Sequence, residues 1–305
     1  MKLNKRLIIS LGIILGSVVT SIFAFVPINR IHDNYSKTWM SHVSDTTSIK
    51  ELSLPGTHDS GATHSIVDVA GKCQDLDIKT QLNIGVRFLD LRIQLVNDEF
   101  VITHSFVKQN LTFKSVLNDI SSFLKQNKSE FLLLSIKQEE SSVNSQKDYE
   151  TALEEILSAY KDVVSFDTSL PSTLKEARGK AYILSRSSTS FGIPAYGGWY
   201  DDTAFEMNDM YIQDNYCIDD INEKKNDILS TIEYTNNNAD KLVLNFTSCY
   251  LDYGFPPTYA GTPAISINPW LLENIKDTKD KLGIMVIDFI TEELTKSIYM
   301  RNIYE

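Results

Sequence analysis

A chain of 305 residues with 42% apolar side chains has enough hydrophobic material for a sizeable core, which excludes a disordered chain. A formal net charge of -11 excludes recruitment of nucleic acid by a basic surface and leaves any anionic ligand to a few local cations. Cys73, Cys217 and Cys249 form no C-x-x-C pair and read as buried small residues rather than a disulfide framework.

In chain order, residues 1–26 come first: a basic start (Lys2, Lys5, Arg6), then an apolar run over 7–26. Its length is close to the roughly 20 residues that span a bilayer, so it reads as a signal peptide, with cleavage after Ala24, or as an N-terminal anchor. Either reading puts residues 27–305 outside the cytoplasm, and no linker or repeat divides them, so they form one domain. Predicted strands cover 51–54, 86–94, 100–103, 131–137, 181–186, 210–213, 241–247 and 284–289. Predicted helices cover 77–83, 113–126, 146–160, 218–235, 269–281 and 291–300. Helix 113–126 carries Phe113, Val116, Leu117, Ile120, Phe123 and Leu124 at the spacing of a face packed on a sheet. No helix precedes 100–103, which makes that region irregular or a hairpin. Strands alternating with helices imply a parallel sheet, and about eight strands in about 260 residues suit the α/β class as a single (β/α)8 TIM-type barrel, distorted or incompletely closed. A doubly wound open sheet is the alternative, although no G-x-G-x-x-G follows a strand.

In a barrel, chemistry belongs at the C-terminal strand ends. Leu54-Pro55-Gly56-Thr57-His58-Asp59-Ser60-Gly61 follows the first strand and presents His58 and Asp59 in a sharp turn; an imidazole suits proton transfer near neutral pH. In 85–92, alternation sets Phe88, Asp90 and Arg92 on one face and Leu89 and Leu91 on the other. An inward Asp90/Arg92 pair is either a structural ion pair or a phosphate site, since the guanidinium fork matches phosphate oxygens. His104 ends the strand 100–103 and supplies a second imidazole. Asp288 ends 284–289, where it either orients an imidazole or caps the next helix. His32 and His42 lie in a polar stretch before the barrel, and His64 has no assigned role. Tyr250, Tyr253, Phe255 and Tyr259 form an aromatic segment that is either a lipid-contacting loop or a packed rim.

The ordered set SLPGTHDSG, RFLDLR, ITHS, LLLSIK, ILSR, IQDNY, LNFTS and IMVIDF resembles the bacterial phosphatidylinositol-specific phospholipases C, from about Ser44 to the C-terminus. That resemblance implies a secreted enzyme, a monomer, that meets phosphatidylinositol, or glycosyl-phosphatidylinositol anchors, at a membrane surface. It implies His58 as the base, Asp288 as its partner, His104 as the acid and Asp59 as the partner of His104. It places Arg92 on the phosphate with Asp90 beside it. Lys137, Arg186, Asp214 and Tyr216 fall on the inositol pocket, with Glu139 close by. Cofactors are none and metal ligands none, because Arg92 stands where metal-dependent relatives use calcium. The rivals are a metal-dependent glycerophosphodiester-type phosphodiesterase and a non-catalytic lipid- or glycan-binding relative.

Overall fold

The computed structural model describes residues 35–64, 71–252 and 259–303. The chain divides into Met1–Tyr35 and Ser36–Glu305, and the sheet with its helices lies wholly in the second unit. The 1–26 segment, His32, Tyr253 and Phe255 lie outside the described residues.

The strands are β1 Leu54–Thr57, β2 Phe88–Val96, β3 Glu99–His104, β4 Val107–Thr112, β5 Leu132–Gln138, β6 Val164–Ser165, β7 Ala181–Ser185, β8 Ile193–Pro194, β9 Thr203–Met207, β10 Met210–Asp214, β11 Cys217–Ile218, β12 Leu242–Phe246, β13 Tyr250–Leu251 and β14 Ile284–Ile287. The helices are α1 Ile78–Ile84, α2 Phe113–Gln126, α3 Tyr149–Ser158, α4 Leu174–Ala177, α5 Ile221–Asn237, α6 Gly261–Ile275 and α7 Glu292–Tyr299. The main sheet runs β6-β7-β5-β2-β1-β14-β12-β10-β9. The first strand pairs in parallel with both the second and the last, so chain order follows the sheet round and returns on itself. That is barrel winding, and it rules out the doubly wound alternative. No pairing among the described residues joins the β6/β7 side to the β9/β10 side, so the barrel is incompletely closed.

Seven of the eight predicted strands join the parallel set. The eighth became β3, which runs antiparallel to β2 and to β4, so the region without a helix is a hairpin. The first strand is displaced from 51–54 to Leu54–Thr57. Pro55 and Gly56 argue locally against a strand, but parallel pairing to β14 buries all four residues, and the Pro55 carbonyl accepts from Arg87 N at 2.8 Å. Gly56 suits the close approach there: a Cβ would meet Phe88 Cβ at 3.0 Å. Helix α6 begins at Gly261, not at the predicted 269, so Pro269 lies inside the helix and not at its start.

Alternation places two layers. Leu89, Leu91, Ile93 and Leu95 of β2 face outward and pack with Ile78 and Leu82 of α1 and Val116, Leu117 and Ile120 of α2, each such burial stabilising by roughly 1.5–3 kcal/mol. The opposite face turns inside the barrel. Its apolar layer includes Leu54, Phe88, Leu133, Leu184, Ile212, Leu244 and Val286, all essentially unexposed.

Candidate active site

Continuing that inward alternation by one or two steps reaches polar residues on six strands. The series Leu54, Gly56, His58 leads to an imidazole; Phe88, Asp90, Arg92 to an ion pair; Leu133, Ser135, Lys137 to an amine. Tyr182, Leu184, Arg186 adds a guanidinium; Met210, Ile212, Asp214 and Ile284, Val286, Asp288 add carboxylates. All of these side chains therefore arrive at the C-terminal mouth of the barrel. His104 arrives differently. Strand β2 overshoots the level of its parallel neighbour β5, ending at Val96, and β3 returns from Glu99 with Ile102 opposite Ile93, so the antiparallel strand's end falls back to the rim. Three non-glycine residues with left-handed backbone adjoin site residues: Asp59 (φ 42°), Ser105 (φ 50°) and Phe289 (φ 51°). Such strain persists where the surroundings over-determine the geometry.

His58, Arg92, His104, Lys137, Glu139, Arg186, Asp214, Tyr216 and Asp288 line one cleft of ≈ 1080 Å³. Nδ1 of His58 lies 2.8 Å from Asp288 Oδ1, and Arg92 Nη2 lies 2.8 Å from His58 Nε2. With the guanidinium as donor, Nε2 accepts and Nδ1–H donates to Asp288, which defines a neutral imidazole whose Nε2 lone pair faces the cleft. Helix α7 is capped by Thr291, whose side chain accepts from Leu294 N, so Asp288 serves His58 and not the helix. Gln74 clamps the same turn by donating to the His58 and Ile287 carbonyls at 2.9 and 2.7 Å.

Asp59 lies beneath both rings. Its Oδ2 is 3.3 Å from Arg92 Nε, 3.5 Å from His104 Nε2 and 3.9 Å from His58 Nε2. The two imidazoles thus approach one carboxylate and share one cavity. Asp90 anchors Arg92 from below: Oδ2 accepts from Nε and Nη2 at 3.3 Å, while Oδ1 accepts from Ser135 Oγ at 3.2 Å and Arg186 Nη1 at 3.4 Å. Glu139 Oε1 accepts from Arg92 Nη1 at 3.4 Å, and its Oε2 lies 2.8 Å from Lys137 Nζ. In the pocket away from the histidines, Arg186 lies 4.0 Å from Asp214. Tyr216 donates its hydroxyl to Asp201 at 2.7 Å.

Charge balance sets the protonation. Burial opposes charge on His58, but the Asp288 charge and hydrogen bond overcome it and raise its pKa above the ordinary imidazole value. Burial would raise Asp90, yet Arg92 and Arg186 hold its carboxyl far below the carboxylate range. Burial likewise opposes Glu139, and Arg92 with Lys137 brings it down to about 2. Asp59 goes the other way: burial raises it against the pull of Arg92 and His104. Burial also opposes charge on Arg92, but Asp59 and Asp90 keep it a cation at every accessible pH.

Every site residue expected from the sequence reaches this cleft or lies directly beneath it. Trp199 was not foreseen. Its Nε1 donates to Asp214 Oδ2 at 3.0 Å, and Arg186 Cζ stacks 3.7 Å from its ring centre. The loop Gly197-Gly198-Trp199-Tyr200-Asp201-Asp202, rich in turn, aromatic and acidic residues, was the available signal. Cys73 also lines the cleft and was read only as a core residue. The three cysteines are free thiols; Cys73 and Cys249 are buried, as the sequence reading expects, whereas Cys217 is only half-buried. His42 and His64 are exposed, and neither lines this cleft.

Residues 53–187 match the family model for the X domain of phosphatidylinositol-specific phospholipase C. The chain is 28% identical over 278 residues to a 1-phosphatidylinositol phosphodiesterase of Listeria monocytogenes, covering 88% of this chain and 85% of that protein. A Staphylococcus aureus (strain Newman) protein of the same name is 27% identical over 285 residues, covering 84% and 90% respectively. The solved phosphatidylinositol-specific phospholipase C from Listeria monocytogenes superposes with a TM-score of 0.74 at 25% identity, covering 87% of this chain and 98% of the other.

Proposed function

We propose, for a chain that belongs to the bacterial phosphatidylinositol-specific phospholipase C family, that it cleaves the phosphodiester of phosphatidylinositol by acid–base catalysis around a fixed guanidinium. The observation that carries this reading is the arrangement of His58: Nδ1 tied to Asp288, and Nε2 facing the cleft 2.8 Å from the Arg92 fork. His58 Nε2 takes the proton of the inositol 2-hydroxyl as that oxygen bonds to phosphorus. Arg92 turns its N–H groups from His58 to the phosphate oxygens and offsets the charge that grows there. His104, whose Nε2 lies 3.5 Å from Asp59 Oδ2, gives a proton to the departing diacylglycerol oxygen. The nucleophile and the phosphorus belong to one molecule, so little orientation entropy is lost. The products are diacylglycerol and inositol 1,2-cyclic phosphate; water entering by the reverse proton path opens the cycle slowly to inositol 1-phosphate.

Lys137, Arg186, Asp214 and Tyr216, with Glu139, hold the ring hydroxyls, and Trp199 stiffens the Arg186–Asp214 pair. Phe106, beside His104 in the chain, and Tyr196 on the cleft wall are exposed, which supports transient contact of the mouth with a lipid surface. Residues 1–26 serve as export signal or anchor, and residues 27–305 as the catalytic barrel outside the cytoplasm. Among the described residues no helix is long and apolar enough to cross a membrane.

The positive charge at the phosphate position is supplied covalently by Arg92, which favours this chemistry over a calcium-assisted phosphodiesterase. Thin-layer separation of products from phosphatidylinositol vesicles, with and without excess chelator, decides. Equal formation of diacylglycerol and the cyclic phosphate under both conditions is expected. Loss in chelator that calcium restores would overturn the metal-free reading, and absence of cleavage in both would overturn the enzyme reading.

A further inference from the structure

One residue of the cleft, Cys73, takes no part in the acid–base scheme. Cys73 is fully buried and lines the cleft beside His58 and Asp59. A ring nitrogen of His58, a carboxylate oxygen of Asp59 and Sγ of Cys73 all lie within 4.8 Å of one another. Asp59 is 1% exposed, and neither of its oxygens has a hydrogen-bond partner. A buried carboxylate in that condition is costly and attracts any cation that can reach it. Arg92 compensates from 3.3 Å, but it is shared with Asp90 and Glu139, so it keeps two anchors if the link to Asp59 is broken.

We infer that Cys73, together with His58 and Asp59, forms a reversible inhibitory site for a thiophilic divalent cation, Zn²⁺ foremost. Thiolate, imidazole and carboxylate are the donor set of zinc, whereas Mg²⁺ and Ca²⁺ demand oxygen shells that this trio does not offer. Zinc–ligand bonds of about 2.0–2.3 Å set tetrahedral ligand separations near roughly 3.5 Å, which modest rotamer changes reach from the present spacing. The nitrogen offered is Nε2, because Asp288 engages Nδ1, and that carboxylate–histidine pairing also orients a ligating imidazole. Binding forms one bond each from zinc to nitrogen, oxygen and sulfur, and the Cys73 thiol releases its proton to water. The guanidinium swings from Nε2 toward Asp90 and Glu139. On the proposed function, on which the inhibitory part rests, Nε2 then cannot accept the 2-hydroxyl proton, and cleavage stops until the ion is removed.

The test uses the full chain with Co²⁺ as a spectroscopic probe and Zn²⁺ as inhibitor. One equivalent of Co²⁺ is expected to produce a thiolate-to-cobalt charge-transfer band in the native chain and in the Cys217→Ser/Cys249→Ser variant, and none in Cys73→Ala. Zn²⁺ is expected to slow phosphatidylinositol cleavage at least about tenfold by removing the base, with full recovery in chelator. Cys73→Ala keeps its zinc-free rate and loses that sensitivity. A band that persists in Cys73→Ala, no band in the native chain, or equal zinc inhibition of both would overturn the site. Should Cys73→Ala fail to fold, the variant that retains Cys73 alone decides, its band supporting the site and its silence overturning it. The optical titration does not depend on catalysis, so a failure of the site and a failure of the proposed activity are read separately.

Discussion

At the residue scale the decisive pair is His58 and Asp288. The Asp288 carboxylate stabilises the imidazolium, so the folded-state pKa of His58 lies above the ordinary value. On the proposed function only the neutral ring can take the substrate's proton, so activity is expected to be lost as pH falls through that raised pKa and to be present above it. Asp288→Asn removes the stabilisation. The acidic limb of kcat/KM is expected to move to lower pH by about one unit while the plateau falls roughly 10²–10⁴-fold. A limb that stays in place would mean that Asp288 does not set the ionisation of His58. Both residues were legible in the sequence because each follows a strand end, and Arg92 because strict alternation sets it with Asp90 against Leu89 and Leu91. The convergence of both imidazoles on Asp59 Oδ2 was not legible, since no spacing along the chain relates 59 to 104.

Elements carry the site through helix packing. Helix α2 buries Phe113, Val116, Leu117, Ile120, Phe123 and Leu124 on one face, and Thr112 caps its first turn by accepting from Ser115 N at 3.2 Å. The periodicity was strong enough to read both ends of this helix from the sequence. In urea titrations Thr112→Ala is expected to cost about 0.5–2 kcal/mol and Leu117→Ala about 2–5 kcal/mol, with the slope unchanged. A cost for Leu117→Ala no larger than that for Thr112→Ala would show that the packed face does not dominate the helix's stability. The β3–β4 hairpin shows the limit of the same reasoning. A short apolar run announces a strand but not its direction, and the antiparallel return that delivers His104 to the rim follows from the overshoot of β2.

For the whole molecule, the floor of the barrel is locked away from the chemistry. Arg87 and Glu130 are completely unexposed at 2.8 Å, where β2 and β5 begin, and Arg87 also donates to the carbonyls of Leu82, Val86, Ser36 and Lys37. Glu130→Gln leaves a buried guanidinium without its counter-charge and is expected to cost about 3–5 kcal/mol of unfolding free energy. The pH profile of kcat/KM should remain unaltered, because the mouth lies at the opposite strand ends. A loss below about 1 kcal/mol would place this pair in the class of exposed ion pairs.

Strand and helix alternation, the inward polar positions and the order of motifs were determined by the sequence alone, because side-chain period and β-branching act over a few residues and need no tertiary partner. Tertiary structure alone decided how far the barrel closes, why Leu-Pro-Gly-Thr is a buried central strand, and which residues Trp199 and Cys73 meet. Those outcomes depend on parallel pairing and on loops that bring together residues far apart in the chain. Burial then converts such neighbours into shifted charges, as for Asp59, whose carboxyl behaves as it does only because water is gone from around it.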